Sequence, residues 1–361
     1  MRDMERLEEN LMKLIHLTGP CGFEHEVARA IYEQARMFAD ECRVDGLGNV
    51  WVGINGAKDG PTLMVAAHMD EVGFMVKTIE ANGFLRLEQL GGHDPRTVVG
   101  QDVIVLTENG RVPGVVGTLS VHFLRYDDAA RAPKFHELYV DCGATSREHA
   151  HAMGIRVGQA VAYEPSVRRI GETRIASKSL DDRAGCAVLL TALEAMDRAQ
   201  LHGTVWGLFS VQEEVGLRGA KAAAAALHAD VALAIDTTAA SDTPPPHAPV
   251  GHGLALGQGA AIKAMDFSLI SSLSVRRFLE RVASERGIPV QTEVFAGIGT
   301  DAGALHMEGG AIPSGVISIP SRYTHSPIEM IDLNDLHGCY RLLLGFMEAM
   351  HSVEDFSFLS E

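Results

Sequence analysis

The sequence of 361 residues is poor in cysteine and in aromatic residues. Aromatic residues make up 6% of the chain, which is little for a sugar-binding groove. The cysteines are scattered and contain no CxxC pair, which argues against a disulfide framework and against a thiolate zinc site. They are Cys21, Cys42, Cys142, Cys186 and Cys339. We therefore expect a cytoplasmic protein, because a reducing compartment suits unpaired thiols.

Positive charge is also in short supply. The chain has 31 Lys and Arg residues against 47 Asp and Glu residues, for a formal net charge of −16. Nucleic acids and anionic lipids bind to basic surfaces, so we expect neither a nucleic-acid partner nor a membrane partner. The excess carboxylates and the 16 histidines could instead bind cations.

Long apolar runs are missing as well. The stretch VWGLFSV at 205–211 has the length of a strand and is far below the roughly 20 residues of a membrane span. The first residues, MRDMERLEENLMKLI, carry charges throughout and lack the apolar core of a secretory signal. We therefore expect no membrane span and no export.

Hydrophobic periodicity predicts an α/β protein. Two helices are expected near the beginning, over 4–17 and 24–38. Strands are expected at 49–54 and 62–68, separated by a turn at KDGP. After about 165 a helix, a strand, a second helix and a second strand follow one another, as in AGCAVLLTALEAM, TVWGLFSV, GAKAAAAAL and VALAID.

Between about 72 and 164 the pattern changes to short β-rich runs, interrupted by Gly and Asp and by one brief helical segment, SREHAHAMG. Short strands with frequent turns are typical of a small barrel or sandwich. We interpret this region as a β-rich module inserted into the α/β domain. The tract TPPPHAP at 243–249 predicts a rigid surface loop.

Polar residues stand at the points where apolar runs end or a helix begins. In open α/β sheets, ligands bind beyond the carboxyl ends of the strands, so such residues are candidates for a site. Each also has a structural interpretation, since a histidine can end a strand with a hydrogen bond and an aspartate can cap a helix. The candidates are His68 and Asp70, Asp181 and Asp182, Glu213 and Glu214, Asp236, and His325.

Carboxylate and imidazole ligands without cysteine are typical of hydrolytic Zn²⁺, Co²⁺ or Mn²⁺. Two divalent ions bring four positive charges. Asp181, Glu214 and Asp236 would offset three of them, and a hydroxide would offset the fourth. This balance favours two metals and leaves Glu213 as a general base.

The motifs TGPCGFE, AAHMDEVGF, SLDDRAGC, VQEEVGLRGA, AIDTT, GTDAGALH and RYTHSPIEM occur in the order typical of M42 metallo-aminopeptidases. The sequence resembles this family, which includes glutamyl and TET-type aminopeptidases, over essentially its whole length. The resemblance implies that one metal is held by His68 and Asp236 and the other by Glu214 and His325. It further implies that Asp181, rather than the adjacent Asp182, bridges the metals, that Glu213 is the base, and that Asp70 lies beside the first metal without binding it.

The family resemblance also implies an architecture. A mixed-sheet α/β/α catalytic domain would comprise 1–71 and 165–361, and an inserted β-barrel dimerisation domain would comprise 72–164. The implied cofactors are two divalent ions per subunit, Zn²⁺ or Co²⁺ with Mn²⁺ as an alternative. The implied substrates are peptides, and the implied assembly is a homo-oligomer of dimers forming a dodecamer.

Other functions share part of this chemistry. A metallo-deacylase of small amides would use nearly the same site. A glycoside hydrolase of the endoglucanase type would need two carboxyl groups roughly 5–9.5 Å apart across one bond, which adjacent Glu213 and Glu214 fit poorly. A non-catalytic metal-binding protein would leave Glu213 without a role.

Two points stay open at this level. The loop FAGIGTDAGALH places Asp301 either as the N-cap of a helix or in the wall of a substrate cleft. Acidic, basic and large apolar N-terminal residues are all compatible with the sequence.

Overall fold

The computed structural model describes residues 2–123, 132–244, 253–308 and 310–359. The helices of these segments are α1 Arg2–Ile15, α2 His25–Ala35, α3 Pro95–Val98, α4 Arg147–Ala152, α5 Leu180–Ala195, α6 Arg218–Ala224, α7 Leu273–Glu285, α8 Ala302–Glu308 and α9 Leu333–Ala349. Short 3-10 helices occupy Val121–Phe123, Phe135–Glu137 and Val353–Phe356. Within the described segments, none of the helices combines the length and the apolarity needed to traverse a bilayer.

The strands are β1 Glu41–Val44, β2 Val50–Asn55, β3 Lys58–His68, β4 Gly73–Ile79, β5 Leu85–Leu90, β6 Asp102–Thr107, β7 Gly110–Gly117, β8 Tyr139–Asp141, β9 Ala160–Tyr163, β10 Arg168–Ile170, β11 Arg174–Ser177, β12 His202–Ser210, β13 Val231–Ala239, β14 Ala260–Met265, β15 Val290–Val294, β16 Ser314–Arg322 and β17 Glu329–Asp332.

One large mixed sheet forms the centre of the molecule. Its order is β1-β2-β12-β3-β13-β16-β17-β11-β10, and β14 pairs with both β15 and β16. The central strands β12, β3, β13 and β16 are parallel, whereas β1, β2, β17, β11 and β10 pair antiparallel. The carboxyl ends of the four parallel strands therefore meet at one edge.

Helices cover both faces of this sheet, because alternate residues of each strand point to opposite faces. In β3, Leu63 and Val65 belong to the large core that includes α1, α5, α7 and α9. Met64 and Ala66 belong to the core on the other face, which includes residues of α6 and α8. The predicted mixed-sheet α/β/α architecture is confirmed.

The second element of the fold is a closed antiparallel barrel with strand order β4-β5-β8-β7-β6-β9. It has its own core, in which Phe74, Val103, Val116 and Val161 are fully or almost fully buried. The pattern of short strands alone left a barrel and a sandwich open, whereas the family resemblance implied a barrel, and the structure confirms it. The pairing of β4 with β9 closes the sheet and decides for the barrel.

The structure differs from expectation at the KDGP segment, which starts β3 instead of forming a turn. Lys58 pairs with His202, and a side chain at Gly60 would meet the His202 Cβ at 2.7 Å. Because Gly60 has no side chain, two strands approach closely at the position where KDGP indicated a turn. Most of the predicted TPPPHAP loop, from residue 245 onward, lies outside the described residues.

Candidate active site

The candidate site lies where the parallel strands end. His68 is the last residue of β3, Asp236 lies in β13, and Asp181 lies at the start of α5. Glu213 and Glu214 follow β12, and His325 follows β16. All six side chains line one cleft of about 810 Å³, which also contacts the barrel side through Gly92, His93, Asp94 and Thr97.

The carboxylate of Asp181 faces two imidazoles. Its Oδ1 lies 3.0 Å from Nε2 of His68, and its Oδ2 lies 3.6 Å from Nε2 of His325. His68 Nε2 is also 3.7 Å from Oδ1 of Asp236, and His325 Nε2 is 3.2 Å from Oε2 of Glu214. Asp181 therefore stands between an Asp–His pair and a Glu–His pair.

Asp182 lies in a different environment. It is fully buried, and its carboxylate accepts hydrogen bonds from the backbone N–H of His68 at 3.3 Å and of Gly185 at 2.9 Å. A side chain at Gly185 would lie 2.4 Å from both oxygens of Asp182. Asp182 thus binds the end of β3 to the first turns of α5, although one of its oxygens lies near His68 and Asp236.

Asp70 positions the two glutamates. Its Oδ1 accepts a hydrogen bond from the Glu213 backbone N–H at 2.9 Å, and its Oδ2 accepts one from the Glu214 N–H at 3.1 Å. It does not line the cleft, and its Oδ1 lies 3.5 Å from Nδ1 of His68. Burial opposes ionisation of Asp70, but the hydrogen bond and charge of His68 and the hydrogen bond from the Glu213 N–H hold its pKa below the usual value.

Asn49 also holds the turn that carries Glu213 and Glu214. Asn49 Oδ1 accepts a hydrogen bond from the Val211 N–H at 3.0 Å, and Asn49 Nδ2 donates to the carbonyl of Gly219 at 3.1 Å. A side chain at Gly219 would meet Asn49 Oδ1 at 2.4 Å, so glycine is required for this close approach.

Negative charge is crowded in the cleft. Burial raises the pKa of Glu213 well above the usual value despite the attraction of His68, and the carboxylates of Asp236 and Glu214 add to the effect. Burial and the charge of Asp181 raise the pKa of Asp236 to about 7. Although burial disfavours its charged form, Glu214 and Asp181 raise the pKa of His325 to about 10. A bound cation would relieve this repulsion.

The donor set fits divalent cations. Donor atoms of His68, Asp181 and Glu214 lie within 4.8 Å of one another, as do those of His68, Asp182 and Asp236. Glu214 Oε1 is buried and has no hydrogen-bond partner among the described residues, which is costly for a carboxylate oxygen unless a cation binds it. Imidazole and carboxylate donors suit a hydrolytic metal.

Sequence reasoning missed Glu329, which lies in β17 and is almost fully buried. Its Oε2 accepts a hydrogen bond from the Asp181 N–H at 2.9 Å, and its Oε1 accepts one from the His325 N–H at 2.8 Å. One carboxylate thus holds the backbone of two candidate ligands. The available signal was an acid four residues after His325 in the RYTHSPIEM motif.

Sequence reasoning also missed a buried cluster of charged residues, Lys178, Glu71 and Arg183, next to the site. Lys178 Nζ donates to Glu71 Oε2 at 2.6 Å and to the carbonyl of Leu17 at 2.9 Å. Arg183 donates to the carbonyl of Met69 at 2.7 Å and lies 3.5 Å from Glu71. Lys178, Glu71 and Arg183 are all nearly or fully buried, and they join the end of α1 to the loop after His68.

Asp301 is almost fully buried next to α8, and it is absent from the residues that line the cleft. Its Oδ2 accepts a hydrogen bond from the hydroxyl of Ser210 at the end of β12, and its Oδ1 finds no hydrogen-bond partner in the described part of the chain. Burial raises the pKa of Asp301 to about 6. The neighbouring residues Gly297, Ile298 and Gly299 do line the cleft.

Imidazole and carboxylate donors grouped at a sheet edge, with the carboxylate of Glu213 facing the same cleft, are the arrangement of a metal-dependent hydrolase. Residues 48–342 match the model of the M42 glutamyl aminopeptidase family. The chain belongs to this family, and it is a metal-dependent aminopeptidase.

Two relatives support this assignment. A lysyl aminopeptidase from Pyrococcus furiosus is 34% identical, with 96% of this chain and 98% of the relative covered. A glutamyl aminopeptidase from Lactococcus lactis subsp. cremoris is also 34% identical, with 96% and 97% covered.

Solved structures share the fold. Aminopeptidase APDkam598 from Desulfurococcus kamchatkensis has a TM-score of 0.93 at 37% identity, covering 100% of this chain and 99% of its own. The Pyrococcus horikoshii TET1 peptidase, which can assemble into a tetrahedron or a large octahedral shell, has a TM-score of 0.85 at 31% identity, covering 94% and 99%. The structure of an endoglucanase from Thermotoga maritima has a TM-score of 0.76 at 29% identity, covering 93% of this chain and 96% of its own.

Proposed function

We propose that His68 and Asp236 hold one divalent cation, that Glu214 and His325 hold a second, and that Asp181 bridges the two. The supporting observation is that the two oxygens of Asp181 face different imidazoles, at 3.0 Å and 3.6 Å. Asp182 is a weaker candidate for the bridge because backbone amides occupy its carboxylate.

The proposed reaction is hydrolysis of the first peptide bond of a peptide with a free N-terminus. Bound cations would polarise the scissile carbonyl and lower the pKa of a water molecule. Glu213 accepts a proton from this water and donates it to the leaving amine. Asp70 acts as a positioning residue, since its carboxylate holds the backbone of Glu213 and Glu214 together.

Replacing Glu213 separates the base from the ligands. The Glu213→Gln variant should keep its metal content and lose at least about 100-fold in kcat. Glu285→Gln, which changes an exposed residue of α7, is the matched control and should behave like the parent protein. Near-parental kcat in Glu213→Gln would contradict the assignment of the base. His68→Ala and Asp236→Asn should instead lower metal occupancy in elemental analysis.

Two assays separate this reaction from its alternatives. A metallo-deacylase of small amides would cleave substrates with blocked amines, whereas an aminopeptidase requires the free amine. A glycoside hydrolase would keep its activity after exhaustive EDTA treatment, because its two carboxyl groups act without a metal. A non-catalytic metal-binding protein would cleave no peptide with any added metal.

We further propose that the metals are Zn²⁺ or Co²⁺, with Mn²⁺ as an alternative, because this donor set accepts all three. Assays of metal-free protein with each added ion test this. We also propose a cytoplasmic location, which the free cysteines support and which localisation of a tagged full-length chain tests.

We propose a dodecameric assembly in which the catalytic unit comprises 1–71 and 165–361 and the barrel unit 72–164 mediates dimerisation. The assemblies of the TET1 relative support an oligomer. Light scattering should give a mass of twelve times the 38.8 kDa chain. Substitution of Val115 by Glu, on the exposed outside of the barrel, should lower this mass if the barrel mediates dimerisation.

A further inference from the structure

The cleft is lined by charged residues and by apolar residues. The charged residues include the candidate ligands and Glu213. The apolar part of the lining, here called the apolar wall, is formed by larger side chains together with Ala239 and two glycines, Gly297 and Gly299. The larger side chains are Leu217, Phe267, Phe295, Ile298 and Tyr323. Among the described residues that line the cleft there is no lysine or arginine, and Asp94 is the one carboxylate besides those of the candidate site.

Neither Asp94 nor His93 supplies a free charge to a substrate side chain. Both oxygens of Asp94 lie 2.9 Å from Nε of Arg96, so this carboxylate is already paired. Burial lowers the pKa of His93 to about 4, which leaves the imidazole neutral at pH 7. His93 stacks on Phe74 with ring centroids 4.4 Å apart.

Two hydrogen-bonded loops carry Phe267, Phe295 and Ile298 of the apolar wall. The Phe267 N–H donates to the carbonyl of Ile298 at 2.9 Å, and the Phe295 N–H donates to the carbonyl of Met265 at 3.1 Å. Asp266 Oδ1 accepts hydrogen bonds from the backbone of Ser268 at 2.6 Å and of Leu269 at 2.7 Å. The apolar surface is therefore part of a hydrogen-bonded framework.

One lysine and two carboxylates are buried behind this surface. Lys263 is fully buried, with Nζ 3.2 Å from Glu293 and 3.5 Å from Asp266. Glu293 also accepts a hydrogen bond from the Thr238 hydroxyl at 2.5 Å. These three charged side chains are buried, and they are absent from the described residues that line the cleft.

We propose that this cleft selects peptides whose N-terminal residue has an uncharged, apolar side chain such as that of leucine, methionine or phenylalanine. The inference rests on the proposed aminopeptidase function. A lysine or glutamate side chain would lose its hydration against Phe295, Ile298 and Phe267 without gaining a counter-charge, and unpaired burial of a charge is costly.

The direct test compares kcat/KM for p-nitroanilides of Leu, Met, Phe, Lys and Glu on the metal-loaded protein. We expect the three apolar substrates to exceed the Lys and Glu substrates by at least about tenfold, the scale on which pocket contacts discriminate. A Lys or Glu substrate that equals or exceeds the apolar ones would overturn the inference.

Binding gives a readout that does not depend on turnover. Leucinamide, lysinamide and glutamic acid α-amide are titrated calorimetrically into metal-loaded Glu213→Gln protein. Leucinamide should bind at least about tenfold more tightly than the two charged amides. Equal affinities for the three amides would contradict the apolar cleft.

Introducing a charge of either sign at Ile298 gives a further test, because this residue lies in a half-buried loop position. Ile298→Lys should raise kcat/KM for the Glu substrate relative to Leu, and Ile298→Asp should do so for the Lys substrate. Ile298→Leu is the matched control and should keep the parental order. A uniform loss on all substrates is the result of a merely structural role and would overturn the assignment. The same pair of changes at exposed Phe267 serves if the Ile298 variants do not fold.

Failure of the two proposals can be told apart. Hydrolysis of free-amine substrates with a preference for charged residues contradicts the apolar cleft alone. Absence of hydrolysis of every substrate with every metal overturns the aminopeptidase function and the inference with it.

Discussion

Replacing Glu329 by glutamine tests whether the candidate ligands depend on a residue outside the described lining of the cleft. Glu329 accepts one hydrogen bond from the Asp181 N–H and one from the His325 N–H. Glutamine has nearly the same size, but it offers one carbonyl oxygen and one NH₂ group. One of the two backbone N–H groups therefore loses its acceptor.

The loss can be estimated from this geometry. A hydrogen bond to a charged group contributes roughly 1.5–3 kcal/mol. If the ligands rely on it, metal affinity should fall by about 10- to 100-fold, the range typical for partners that orient metal ligands. kcat/KM under limiting metal should fall with it, and saturating metal should restore much of the activity.

Competition with a chelator of known affinity, followed by elemental analysis, measures the change. Urea unfolding of metal-free protein separates positioning from general stability, and Glu285→Gln is the matched control. If Glu329→Gln binds metal as tightly as the parent protein, Glu329 does not position the ligands. A loss of stability without a loss of metal affinity would refute the reasoning as well.

Three further variants test other parts of the structure. Gly185→Ala should lower metal affinity and cost about 1–3 kcal/mol of stability, because its Cβ would lie 2.4 Å from the Asp182 oxygens. Unfolding and metal-titration curves like those of the parent protein would contradict this. Lys178→Met should cost about 3–5 kcal/mol in urea unfolding, because it leaves the buried Glu71 with the Gly19 N–H at 2.8 Å and with Arg183 at 3.5 Å; a loss under 1 kcal/mol would count against the ion pair. The pKa of His93 is about 4 when folded and near 6.5 when unfolded, so the unfolded chain binds the proton first as pH falls, and this histidine should contribute a slope that lowers the stability of metal-free protein by about 2 kcal/mol between pH 7 and 5, beside the opposite contribution of carboxyls with a raised pKa such as Asp236. His93→Gln should remove this slope, and an unchanged slope would exclude His93 as its source.

Much of the architecture could be predicted because its signals are local. The helix and strand periods and the polar residues at the ends of apolar runs indicated an α/β protein with a site at the sheet edge. His68 and Asp236 lie at the end of β3 and within β13, and both line the cleft. The family motifs, read in order, supplied the expected role of each candidate.

What could not be predicted depends on long-range contacts. Glu329 looks like an ordinary acid at a strand start, and its bond to Asp181 spans 148 residues. Asp70 accepts hydrogen bonds from two backbone N–H groups in a turn more than 140 residues away along the chain. Local alternation carries no information on the pairing between β4 and β9 that closes the barrel, so the barrel was predicted from the family resemblance alone.

The order of the strands has a consequence for the time at which the site forms. β16 lies between β13 and β17 in the sheet, yet it is among the last strands in the chain, and His325 follows it. During synthesis on the ribosome, His68, Asp181, Glu214 and Asp236 all emerge before β16 and His325 are available. The nascent chain therefore lacks a complete set of candidate ligands until β16 and His325 have been synthesised.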